Sequence, residues 1–248
     1  MSSTERSTSE KVLVSEYVKG PFVPISHLAH DWELHVGVTL SPAEERTMVR
    51  EPAQAIPDAV AKRLPKVRVL VVPFVGCRDS GDFVSQSKPE GETHSAVWVE
   101  TERLITLLLA CRELDAHDTG FEFLASIAEL TRTRLSSEEL GRFTELLEKE
   151  LHAGVQGEID EDALAAKQSL VASRGWRRRR GSFEDYRDIA FAGTLAEYMH
   201  GLWHDVQIRV GPNHLPFPHL RRRLELMAEM FPPNPGYQVF AADLETQQ

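Results

Sequence analysis

From residue 32 to 40 the chain alternates. Trp32, Leu34, Val36, Val38 and Leu40 fall on one side, and Glu33, His35, Gly37 and Thr39 on the other. That period of two predicts a half-buried strand. Residues 11–18 form a shorter β-rich run. Ser41-Pro42-Ala43-Glu44 then reads as a helix start, with Ser41 as cap and Pro42 in the first turn. Residues 57–64 predict a short helix. Residues 67–75 are the most apolar run in this part, and Val67, Val69, Val71 and Val72 favour a central strand whose regular pairing ends near Pro73. Residues 76–92, rich in Gly and acids, read as a long loop, and residues 93–99 as one more strand.

Beyond that point the spacing changes to the helical period. Leu104, Leu107, Leu108 and Cys111 predict a helix over 100–114, and apolar positions at 121, 124, 127, 128 and 130 predict the next. Ser136-x-x-Glu139 is a capping box ahead of a stripe of Leu140, Phe143, Leu146, Leu147 and Leu151. Residues 160–173, 183–207 and 219–230 predict three further helices, and 238–241 a short edge strand. The fold class expected is α+β and predominantly α-helical: a small N-terminal β-sheet packed with a C-terminal bundle of about five or six helices. The boundaries expected are a disordered leader at 1–10, a strand-bearing part at 11–99, a helical part at 100–241 and a frayed tail at 242–248. No flexible linker separates the two parts, so they can form one cooperative domain.

Length and composition narrow the classes. A chain of 248 residues with 42% hydrophobic residues can bury a real core. Its net charge of −10 does not favour nucleic acid or an anionic membrane as a partner, which leaves a protein partner open. Two cysteines, Cys77 and Cys111, make neither a disulfide framework nor a four-cysteine zinc site, so a reducing cytoplasm is the expected compartment. No apolar run is long enough for a membrane helix.

The helix predicted over 183–207 carries the main candidate chemistry. Leu195, Met199, Leu202, Trp203 and Val206 share one apolar arc. Glu197, His200 and His204 share another, with Tyr186, Gly193 and Ala190 in it or at its edge. A carboxylate and two imidazoles at i, i+3 and i+7 suit zinc or a similar divalent transition metal. The set is incomplete, since His-Glu-x-x-His and a second Glu-x-x-His are both missing. Further ligands would have to come from His94, His117, Glu122, His214 or His219. The alternative is a structural polar seam between helices.

Other features read more plainly. His27, His30, Asp31, Glu33 and His35 read as a solvated rim. Cys77 reads as an ordinary buried thiol. The cluster Arg174, Arg177, Arg178, Arg179 and Arg180 follows an acidic stretch of net charge −7 over 136–163, and pairing between the two is expected. Arg221–Arg223 read as a solvated face. No Gly-rich phosphate loop, dinucleotide fingerprint or Gly-x-Ser-x-Gly elbow occurs. Two functions remain: a non-catalytic interaction or scaffold module, and a metal-dependent hydrolase-type enzyme with Glu197, His200 and His204 around its metal.

Overall fold

A computed structural model describes residues 11–172, 180–206 and 208–240. The leader at 1–10, the tail at 242–248 and the basic cluster up to Arg179 lie outside the described residues. The chain divides into two compact units. One is drawn from Met1–Ala53 and Pro65–Phe123, the other from Gln54–Leu64 and Leu124–Gln248.

The first unit holds two sheets. Strands β2 (Ser26–His27), β3 (Glu33–Val36), β4 (Lys66–Val72), β9 (Leu104–Ala110) and β8 (Ala96–Glu100) form a five-stranded sheet in that order. β3, β4 and β9 run parallel, and the two edge strands pair antiparallel. Strands β1 (Val12–Leu13), β6 (Phe83–Ser85), β5 (Phe74–Gly76) and β7 (Thr93–His94) form a second, antiparallel sheet. Pro73 lies between β4 and β5. It has no N–H for a ladder, and the chain leaves the first sheet for the second there. Both sheets share one core of Leu70, Val72, Val75, Val84, Leu108 and Ala110. Helix α1 (Val14–Tyr17) adds Val14 to that core.

Between β3 and β4 the chain passes through α2 (Pro42–Glu45), a π-helical turn (Arg46–Arg50), α3 (Glu51–Ala55) and α4 (Asp58–Ala61). Ser41 caps α2 as expected: its hydroxyl accepts from the Glu44 N–H, and the Glu44 carboxylate accepts from the Ser41 N–H.

The second unit is built on helices. Besides α4 and the second half of α5 (Ala116–Arg132), it contains α6 (Gly141–His152), α7 (Glu161–Ala172), α8 (Arg180–Trp203) and α9 (Phe217–Met230). Helix α8 packs against α6, α7 and α9. It is buried on both sides, with Leu195, Met199 and Leu202 on one and Tyr186, Ala190 and His200 on the other. Phe191 meets Phe143 of α6 edge-on at 5.1 Å, and the Tyr198 hydroxyl donates to the Phe231 carbonyl at 2.8 Å. Asn234, in the turn after α9, accepts from the first N–H of α4 and donates to the Ile56 carbonyl, both at 2.9 Å.

Several expectations need correction. The stretch 100–114 is not a helix: Leu104–Ala110 is a strand between β4 and β8. It is apolar on both faces because both are covered, and such a run carries no period to separate strand from helix. The sheet structure is therefore larger than one small N-terminal sheet. The loop at 76–92 contains β6, whose Phe83, Val84 and Ser85 are buried. No strand forms at 238–240. No described helix is long and apolar enough to cross a membrane.

Candidate metal centre

Strands β5, β6 and β7 bring together three residues that are up to 17 positions apart in the chain. Cys77 directly follows β5, and its N–H donates to the Glu92 carbonyl at 3.0 Å, extending the pairing toward β7. Gly81 adopts φ +113, open to glycine, and closes a turn by donating to the Arg78 carbonyl. The turn delivers Asp82 just ahead of β6, where its carbonyl accepts from the Val14 N–H at 2.9 Å. His94 stands on β7 opposite Val75.

One ligand atom from each of Cys77, Asp82 and His94 lies within 4.8 Å of the other two. His94 Nε2 is 3.5 Å from Asp82 Oδ1. All three side chains are half-buried. Burial, and then the Asp82 carboxylate to which the thiol donates, push Cys77 above its ordinary pKa. The nearby Arg78 guanidinium lies over the Phe83 ring at 4.3 Å. The cluster thus combines a thiol, a carboxylate and an imidazole, the donor types that zinc takes.

A second group, Asp115, His117 and Asp118, also converges within 4.8 Å. Here the acids have a local task. Asp115 accepts from the Asp118 N–H at 2.8 Å and starts α5, and Asp118 sits in its first turn, where negative charge is favourable. This group is a helix start.

The residues singled out on α8 are only partly assembled. Glu197 Oε2 lies 3.9 Å from His200 Nδ1. His200 is buried, whereas His204 lies past the last helical residue and is exposed; their ring centres are 5.8 Å apart. Glu197 also lines a small cavity with Glu158, Arg209 and His214. Of the other suggested ligands, His94 belongs to the cysteine cluster and His117 to the α5 start. His219 Nδ1 is 3.3 Å from Glu150 Oε1. The residues of the 27–35 rim find separate partners: His27 is 3.7 Å from Asp31, Glu33 pairs with Lys66 and Arg68, and His35 donates to the Pro24 carbonyl.

The largest surprise is Arg223, which is not on a solvated face but fully buried. It donates to Glu150 Oε2 at 2.6 Å and to Glu158 Oε2 at 2.7 Å. Glu158 also accepts from Tyr186 at 2.5 Å and from Lys167 at 3.2 Å. Burial alone would raise the Glu158 carboxyl, but Arg223, Lys167 and Tyr186 reverse this and hold it at about 2. The same burial pushes the Tyr186 phenol up, so it remains a donor. Two acids of the 136–163 stretch are therefore committed to buried bases of their own unit. The basic cluster expected to meet that stretch lies outside the described residues.

No family, curated protein or solved structure matches the chain.

In the sequence Cys77 and His94 are 17 positions apart and carry no shared motif. Asp82 was hidden inside a presumed loop. The one available signal was a cysteine at the end of an apolar strand, followed within 17 residues by an aspartate and a histidine.

Proposed function

We propose that this chain is a divalent transition-metal protein, with zinc or a chemically similar ion held by Cys77, Asp82 and His94. The observation that carries the reading is the convergence of those three donors from three neighbouring strand ends. Three protein ligands leave a position for water or substrate, which is the arrangement of hydrolytic zinc sites; bound there, the ion supplies Lewis acidity. This supports the metal-dependent reading over a purely non-catalytic interaction module. A cysteine nucleophile is less well supported, because a nucleophile needs its thiol pulled down and these neighbours push it up. A reducing cytoplasm suits a thiol ligand.

A second reading keeps Glu197, His200 and His204 as the ligands, favoured by the 3.9 Å approach of Glu197 to His200. Cobalt(II) separates the two. Bound through a cysteine, cobalt gives an intense near-ultraviolet thiolate charge-transfer band. Titration of metal-stripped protein should produce that band with wild type and lose it with Cys77→Ser. Visible cobalt bands without thiolate character, abolished by His200→Ala, would move the site to α8. No spectral change in any form would sink the metal reading.

A further inference from the structure

A second feature of the sheet unit stands apart from the metal centre. A cleft of about 960 Å³ opens where the parallel strands β3 and β4 end, and Arg112, just after β9, reaches it too. Crevices outside the carboxyl ends of parallel strands are where open α/β sheets bind small molecules, and this one is broad and open to solvent. Its lining includes His35, Thr39, Phe74, Gln86 and Arg112.

Arg112 is the cation of the lining. Its Nη2 donates to the Thr39 carbonyl at 2.9 Å, which fixes the guanidinium, while Nη1 meets Glu44 at 3.9 Å, beyond hydrogen-bond distance. Glu44 caps Ser41 through its other oxygen, Oε2, at 2.7 Å, so its Oε1 faces Arg112 as a longer-range ion-pair partner that takes up no N–H. A guanidinium with five N–H donors therefore retains capacity for a planar or tetrahedral anion. His35 complements it. The Pro24 carbonyl, 2.9 Å from Nδ1, can only accept, so Nδ1 carries the proton and Nε2 is the ring atom available to a ligand hydroxyl. The Gln86 amide offers both a donor and an acceptor beside them, and Phe74 supplies an apolar wall.

We infer that this cleft binds a phosphorylated sugar, with the phosphate on Arg112 and hydroxyls on His35 and Gln86. The metal centre is separate: β5 runs from Phe74 in the cleft to Gly76, and Cys77 follows about 10 Å along the strand.

The test is calorimetric titration of the full-length protein with ribose 5-phosphate, inorganic phosphate and ribose. Ribose 5-phosphate should bind saturably, inorganic phosphate at least about tenfold more weakly, and ribose not measurably. Arg112→Gln should weaken ribose 5-phosphate by about tenfold or more, as expected for loss of a charge-assisted fork. His35→Gln should weaken ribose 5-phosphate while leaving inorganic phosphate unchanged, and that variant carries the test if Arg112→Gln fails to fold. Cys77→Ser should bind ribose 5-phosphate like wild type, which keeps this result distinct from the metal reading. The proposal is overturned if ribose 5-phosphate gives no saturable signal up to about 10 mM. It is equally overturned if the two substitutions leave binding unchanged, or if inorganic phosphate binds as tightly as the sugar phosphate.

Discussion

Replacing Arg223 by Met would leave Glu150 and Glu158 buried with one cation fewer, and an uncompensated buried charge is expensive. The expected loss is about 3–5 kcal/mol in urea unfolding, against less than about 0.5 kcal/mol for the exposed Arg222→Met. Equal small effects at both positions would show that Arg223 is solvated. Glu158 gives the same cluster a pH signature. Its carboxyl is held at about 2 in the fold against 4.5 when unperturbed, so the unfolded chain takes up the proton first as pH falls. The stabilisation is fully present above about pH 4.5 and is lost as pH drops from there through about 2. At neutral pH it is on the order of 3 kcal/mol. Glu158→Gln should be less stable than wild type at pH 7 and should lose less stability between pH 5 and 3. Parallel losses in the two proteins would contradict the assignment. Arg223 differs from Arg221 and Arg222 in standing three residues after Leu220 and four before Met227, at the edge of the apolar stripe of α9. What its position does not reveal is the pair of acids it meets, Glu150 and Glu158, which lie 73 and 65 positions away in the chain.

At the scale of elements, the segment that carries Glu158 is pinned by backbone. The Glu158 N–H donates to the Asn213 carbonyl at 3.0 Å, and the Leu215 N–H donates to the Glu158 carbonyl at 2.9 Å. Gly157, at φ +73, lies so close to the His214 backbone that a Cβ would overlap it. Gly157→Ala should therefore cost more than about 1 kcal/mol, from the strained backbone and the clash together. Gly154→Ala, also at positive φ but with nothing within 4 Å of a Cβ, should cost less. Equal melting temperatures for the two would contradict this packing. On α8, His200→Ala removes a buried polar partner and should cost about 1–3 kcal/mol, whereas the exposed His204→Ala should be close to neutral. The helical period made α8, the Ser41 cap and the α6 stripe legible, because amphipathic faces and caps are local. β9 was not legible. Leu104–Ala110 is covered on both faces, and its spacing at 104, 107, 108 and 111 matches a helix by coincidence.

For the molecule as a whole, the α+β class is readable from the change of period along the chain, but the placement of chemistry is not. Glu197, His200 and His204 stood out because one helix displays them together. Cys77, Asp82 and His94 did not, because only the pairing of β5 with β6 and β7 makes them neighbours. A metal bound only by the folded state stabilises it by mass action, by about 2.7 kcal/mol at a hundredfold excess over Kd. For a chain of this size that corresponds to roughly 5–10 °C in melting temperature. The decisive measurement is the melting temperature of wild type, Cys77→Ser and His204→Ala, each saturated with zinc and each stripped by chelator. Chelation should lower the melting of wild type and of His204→Ala by similar amounts and leave Cys77→Ser unmoved. Wild type indifferent to chelator, or a Cys77→Ser protein that still loses stability on chelation, would contradict a metal centre at Cys77, Asp82 and His94.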